Sequence, residues 1–381
     1  MDIAVFGGGR SPEHDISVRS ARMVLANLDR QRFRVWPVFL DQAGMFWPHR
    51  KPLQAGEEWE PGNRSTAHGP LRAGTAIDWL VEVARVRMVF PALHGPYGED
   101  GRLQGMLEIG DVPFVGSDCL ASALAMNKQR TRQILQQSGI RVADAYVPEA
   151  PLASCDVEVE WRSLVEQVGS PAFCKAECSG SSRGVARVAS QKELQTFVDA
   201  NKRTFHRWFA ESLVAGEELT VPVLGNRDGA LRALPPIGIY PRFADHFDER
   251  AKYEKGACDE ICPPPGWTQE RIAQVQHIAL QCHRALGCDG MSRTDMIFAA
   301  DGPVVLEVNT IPGMTDASLL PKAAQTAGIA IPQLLNMLVD YALDRWNVDA
   351  PRACVAPGVR RPQAAASGQA RATTSANVVD A

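Results

Sequence analysis

Residues 287–315 read GCDGMSRTDMIFAADGPVVLEVNTIPGMT, and this stretch constrains the fold more than any other. Two runs of β-formers flank Ala300-Asp301-Gly302, which is the pattern of a hairpin. If those three residues form the loop, Asp295 falls directly opposite Glu307. Cross-strand partners share a face, and Asn309, two residues further on, lies on it too. Two carboxylates and a carboxamide then converge on one side of an otherwise apolar ribbon. Crowded carboxylates repel unless a cation lies between them. Oxygen-only donors suit a hard ion such as magnesium, which usually also holds substrate phosphates. The alternative is a solvated outer face. The apolar flanks and the Pro-Gly turn argue for the metal.

The rest of the chain sets the frame. Its 381 residues exceed what one hydrophobic core usually serves, so two or three domains are expected. Strands and helices alternate through most of it, which makes the class α/β. Ile272, Val275, Ala279, Cys282 and Leu286 recur at helical spacing, with Thr268 as N-cap and Gly287 just past the end. The last thirty or so residues are rich in Ala, Pro, Arg, Ser and Thr and lack an apolar period, as a disordered tail would. A net charge of −4 offers no footprint for nucleic acid or an anionic membrane. No apolar run reaches bilayer length, and MDIAVFGGG is already a strand and a turn, so a cytoplasmic protein is expected. Nine scattered cysteines argue against a disulfide framework. Cys174/Cys178 and Cys258/Cys262 are read as buried or incidental thiols in preference to zinc ligands.

Other segments point to phosphate. FCKAECSGSSRGVARV, residues 173–188, is a strand ending at Lys175, a Gly/Ser loop at Ser179–Gly184 and a second strand from Val185. It is not a P-loop, because no helix follows, but such a hairpin offers N–H groups and hydroxyls to phosphates. FGGGRSPEHDISVRSA follows the first strand; it lacks GxGxxG spacing, which excludes a dinucleotide site. VFPALHGPYGEDGRLQGM repeats the grammar: a strand, His94, a glycine-rich loop with Glu99 and Asp100, then a helix.

Taken in order, these motifs resemble the D-alanine–D-alanine ligase family of the ATP-grasp superfamily. GGGRSPEHDISVRSA, HGPYGEDGRLQGMLE, PFVGSDCLASALAMNK, GSSRGV, ESLVAGEEL, AKY, GCDGMSRTD and EVNTIPGMTDASLLPK carry the likeness, over roughly residues 3–345. It implies a three-domain ATP-grasp fold. Residues 1–118 would be an N-terminal α/β substrate-binding domain and 119–214 the central ATP-grasp subdomain. Residues 215–346 would be the C-terminal ATP-grasp subdomain, with a mobile loop at 240–256, before a tail at 347–381.

The resemblance also implies roles. Lys128 and Lys175 match lysines on the ATP phosphates, and Ser181 and Ser182 lie in the loop over them. Glu211, Leu213 and Val214 match the adenine segment, and Glu218 the ribose carboxylate. Asp295, Glu307 and Asn309 match magnesium ligands, for two ions, with manganese as a substitute. Glu13 matches the group that orients the first D-alanine's ammonium, linked to Ser181 and Tyr253, and His94 lies beside that substrate. Lys252 and Tyr253 belong to the loop that closes the site. Arg293 and the Gly313 N–H match oxyanion donors, and Ser318 and Leu319 the second D-alanine's carboxylate site. ATP, amino acids and a second copy of the chain, as a homodimer, are the partners implied.

The implied activity is ATP-dependent joining of two D-alanines through an acyl phosphate, for peptidoglycan. The alternative is the same chemistry on another amino-acid pair in specialised metabolism. Departures keep it open: Ala176 stands where the family has Pro, Ser179 where an acidic residue is common, and Arg183 where a small apolar one is usual. YPRFADHFDER lacks the usual aromatic-acidic pattern. Ala-Lys-Tyr at 251–253 resembles the dipeptide-forming branch, and intact Glu13, Tyr253 and Ser318 favour D-alanine.

Overall fold

The structure is a computed structural model that describes residues 1–180, 183–241 and 258–347. Ser181, Ser182, Lys252, Tyr253, most of the expected mobile loop and nearly all of the tail lie outside the described residues.

Three sheets carry the chain. The first is built from β1 (Asp2–Gly8), β2 (Arg34–Leu40), β3 (Phe46–Pro48) and β4 (Met88–Pro91), in the order β3–β2–β1–β4. β1 is parallel to both β2 and β4 and buried along its length, as expected of an uninterrupted apolar run. The loops after β1 and β4 therefore emerge side by side at one sheet edge, the usual place for a ligand site in a parallel sheet. They carry Glu13, His94 and Glu99.

The second sheet is antiparallel: β5 (Ala145–Tyr146), β6 (Ala172–Ala176), β7 (Val185–Val188) and β8 (Trp208–Ser212), in the order β5–β8–β6–β7. Helices Val157–Val168 and Gln191–Asn201 cover one face through a core that includes Leu164, Phe197 and Trp208.

The third sheet holds β9 (Glu217–Leu224), β10 (Arg232–Ala233), β11 (Ile237–Pro241), β12 (Cys258–Ile261), β13 (Met291–Ala299) and β14 (Gly302–Asn309). Its path is β12–β11–β9–β13–β14, with β10 beside β9. Residues 240 and 241, expected in the mobile loop, finish β11. Helix Gln269–Ala285 covers one face. Val275, Ala279 and Cys282 pack there on Val221, Val223, Met296, Val305 and Val308. Each fully buried valine contributes about 1.5–3 kcal/mol. Thr268 caps the helix by accepting from the Arg271 N–H, and Gly287 follows its end at φ +69°, as its spacing predicts.

Asp295 does pair with Glu307, and Arg293 with Asn309, but not through a three-residue loop. Ala299 pairs with Gly302, so the turn is the two residues Ala300 and Asp301. The register then shifts by one between Met296–Val305 and Asp295–Glu307, leaving Leu306 as a β-bulge. One extra residue in β14 has the same effect on the later pairing whether it sits in the turn or in the strand.

An ionic cluster ties the end of the first sheet's segment to the third sheet and the last helix, Ile331–Trp346. Arg227 donates to Asp118 and Asp289, each at 2.6 Å, and Arg345 donates to the Gly116 carbonyl at 2.7 Å. No helix among the described residues is long and apolar enough to cross a membrane.

Candidate active site

The face of the third sheet opposite helix Gln269–Ala285 is apolar at one end, where Leu224, Ile237 and Met291 join a buried core, and polar around Asp295. Asp295 is flanked there by Glu307 on β14 and Thr220 on β9. Arg293, two residues along, grips both Asp295 oxygens through Nε at 2.8 Å and Nη2 at 2.7 Å. Thr220 Oγ1 lies 2.5 Å from Asp295 Oδ1, and Asn309 Nδ2 donates to Oδ2 at 3.3 Å. Lys128, the first residue of helix Lys128–Gln137, reaches over this face. Its ammonium lies 3.0 Å from Glu307 Oε2 and donates to the Ser179 carbonyl at 2.6 Å. Burial pulls the Lys128 pKa down, but Glu307 and other carboxylates more than offset it, so the net shift is upward. A cleft lined by Glu99, Lys128, Ser179, Gly180, Glu307 and Asn309 opens between the Gly/Ser loop and this face.

The first sheet contributes carboxylates from the other side. Glu13 stands at the start of helix His14–Asn27, where its carbonyl accepts from the Ser17 N–H at 2.9 Å. A Cβ added to Gly180 would lie 3.0 Å from Glu13 Oε1 and 3.7 Å from Glu99 Oε1, so this glycine permits the loop to close on both. Burial, and after it the Glu13 carboxylate, pushes the Glu99 carboxyl up to about 8. Sequence reading noted Glu99 but gave it no role. His94 is buried, which pushes its pKa down to about 4 and keeps it neutral. Its ring lies 2.8 Å from Ser20 Oγ and 3.2 Å from the Ile311 carbonyl. The carbonyl can only accept, so Nδ1 carries the proton and Nε2 accepts from Ser20. His94 thus pins the turn after β14 to helix His14–Asn27. In that turn, a Cβ on Gly313 would lie 2.7 Å from Ser318 Oγ. Ser318 precedes helix Leu319–Thr326 and is held by the Thr315 N–H at 3.0 Å.

The second sheet builds the remaining end. Lys175 on β6 and Glu211 on β8 form an ion pair, and Glu211 also accepts from Arg132 Nη1 at 2.6 Å. Arg132 was missed by the sequence reading. The available signal was its place four residues after Lys128 on the same helix, which puts both cations on one face. Val214 packs against Ala143, Ala299 and Val304, whereas Leu213 is exposed. Glu218 lies on β9 two residues from Thr220, so it shares the polar face. Arg183 is exposed.

Family models described as "D-ala D-ala ligase N-terminus" and "D-ala D-ala ligase C-terminus" match residues 2–117 and 134–340. The chain belongs to the D-alanine–D-alanine ligase family. The D-alanine–D-alanine ligase of Desulforudis audaxviator is 37% identical over 90% of this chain and 99% of its own. The Bacillus anthracis D-alanine–D-alanine ligase solved with ATP superposes with a TM-score of 0.67 at 28% identity, covering 92% of this chain and all of that one, 100%. The VanG D-Ala:D-Ser ligase of Enterococcus faecalis gives 0.76 at 29% identity, covering 90% of this chain and 99% of that one. As in an ATP-grasp ligase, the second and third sheets of this family member face one cleft, bridged here by Lys128.

Proposed function

We propose that this chain uses ATP to join two D-alanines into D-alanyl-D-alanine, a peptidoglycan precursor, through an acyl phosphate. The observation that carries the reading is the single face shared by Arg293, Asp295, Glu307 and Asn309 beneath Lys128. A carboxylate is a poor acyl donor, and phosphorylation gives it a leaving group. Lys128 and Lys175 would neutralise the phosphates, with Ser181 and Ser182 above them. Glu211, Leu213 and Val214 would receive the base and Glu218 the ribose. Glu13 would hold the first D-alanine's ammonium beside His94. The Arg293 guanidinium and the Gly313 N–H would meet the negative oxygen that forms when the second amine attacks. Ser318 and Leu319, at a helix N-terminus, suit the second D-alanine's carboxylate. Lys252 and Tyr253 would close the site and exclude water, because an acyl phosphate hydrolyses readily.

The donor set fits a hard divalent cation: two carboxylates and a carboxamide, with no thiolate or imidazole. Asp295, Glu307 and Asn309 would hold magnesium, as one or two ions or with manganese in its place. When bound, the metal would supply positive charge to the transferring phosphate. Assembly as a homodimer belongs to the same reading. Ile109 and Leu120, on the contacting helices Arg102–Ile109 and Cys119–Met126, are the kind of exposed apolar side chains a second copy would cover.

The sequence relatives at 35–37% identity are named D-alanine–D-alanine ligases and do not favour a different pair, while the D-Ala:D-Ser ligase among the solved neighbours makes D-serine the pair to test against. The test is phosphate release with ATP and Mg²⁺ across D-alanine, D-serine, D-lactate and L-alanine, with product mass. D-Alanine alone giving D-alanyl-D-alanine is the expected result. Turnover confined to another pair would reassign the substrate, and no turnover with any pair would overturn the reading.

A further inference from the structure

At one end of the cleft, two buried side chains and the partly buried Lys175 carry more positive charge than they need. Glu211 is 2% exposed and Arg132 4%. Glu211 Oε1 accepts from Arg132 Nη1 at 2.6 Å, while Oε2 accepts from the Lys175 ammonium. The other Arg132 terminal nitrogen donates to the Ala143 carbonyl at 2.6 Å. The guanidinium is therefore fixed at two points, and it sits over the Phe209 ring at 5.9 Å. Lys175 is a flexible stem ending in one ammonium. A buried carboxylate needs one cation, and here it has two. The surplus suits a site that admits an anion, and in the reading above that anion is the triphosphate.

We propose that Arg132 is a positioning residue for the nucleotide, holding the Glu211 carboxylate in place while Lys175 passes from Glu211 to the phosphates. The inference rests on the nucleotide reading of this cleft. Release of Lys175 leaves Glu211 Oε2 as an acceptor at the place where the base enters. An ionised carboxylate can only accept. It pairs with the exocyclic amine of a 6-amino purine and opposes the carbonyl of a 6-oxo purine. Arg132 thereby sets base specificity without touching the base. Without it, Lys175 is the remaining cation on Glu211 in this cluster and stays there. Its retention weakens ATP and narrows the advantage of ATP over ITP.

The experiment compares wild type, R132M, R132K and E211Q in steady-state phosphate release with ATP and with ITP. R132M is expected to raise the ATP KM at least about tenfold, with a smaller change in kcat, and to lower the ATP-over-ITP ratio of kcat/KM by a similar factor. The D-alanine KM stays unchanged. R132K restores part of the ratio, since it keeps the charge but not the two-point hold. If R132M fails to accumulate as folded protein, R132K decides: a lowered ratio supports the proposal and a wild-type ratio overturns it. A wild-type ATP KM and ratio in R132M, with both altered in E211Q, overturns the role of Arg132 and leaves the nucleotide reading standing. An unchanged ratio in E211Q as well removes Glu211 from the base site, and the reading of the cleft fails with it.

Discussion

Glu99 makes the stability of the fold depend on pH in a direction opposite to most carboxylates. Its carboxyl faces Glu13, Arg293 and Glu307, with Lys128 also within electrostatic reach, and accepts from a backbone N–H at Gly95. Burial and Glu13 raise its pKa from 4.5 to about 8. Below 4.5 the group is protonated in both the folded and the unfolded chain. Between 4.5 and about 8 the folded chain holds a proton that the unfolded chain has released, so stability falls as pH rises. Above that range the loss is complete, of order 5 kcal/mol at most and a few kcal/mol once Arg293 and Lys128 turn toward the new charge. Glu99→Gln keeps the shape and removes the titration. In metal-free and nucleotide-free buffer, the variant and the wild type should therefore melt together at about pH 4. At pH 9 the variant should melt about 3–7 °C higher, given the entropy of unfolding of a chain this long. Thermal unfolding followed by circular dichroism across that range is the assay. A difference in Tm that stays constant with pH would refute the argument, because it would mean that Glu99 titrates as an ordinary surface carboxylate.

Two further outcomes follow from the site geometry. Glu307→Gln removes the carboxylate 3.0 Å from the Lys128 ammonium, so the variant should lose about 3–5 kcal/mol in denaturant unfolding and release phosphate at least about 100-fold more slowly; wild-type values for both would exclude the pairing. Gly313→Ala places a methyl 2.7 Å from Ser318 Oγ, which is held by Thr315, and should cost about 1–3 kcal/mol of hydrogen bonding, read as a raised KM for the second D-alanine with the ATP KM unchanged; equal effects on both would count against a local role.

Local rules were enough for much of this protein. A strand's side chains alternate with period two, so Asn309 shares the face of Glu307, and one extra residue in β14 puts Glu307 opposite Asp295, although that residue lies at Leu306 and not in the turn. Thr268 and Gly287 bound their helix because capping depends on a few adjacent backbone groups. The ordered motifs were equally legible as a family pattern, because each is contiguous in the chain.

What the sequence left open depends on which surfaces meet. Val304, Val305 and Leu306 are all apolar, so nothing in their order says which one leaves the ladder. In the folded chain Val305 packs under helix Gln269–Ala285, Val304 joins Ala143 on a separate cluster, and Leu306 is the residue bulged out. Two cores on opposite faces of one strand make that choice. Arg132 and Glu211 lie 79 residues apart, and each is an ordinary charged residue of a helix or strand until burial forces them together. Glu99 is one of many acidic residues in the chain, and only desolvation beside Glu13 gives it its proton. Helix caps are local and were legible in the sequence alone; the place of the bulge, burial and charge pairing are long-range, and tertiary structure decided them.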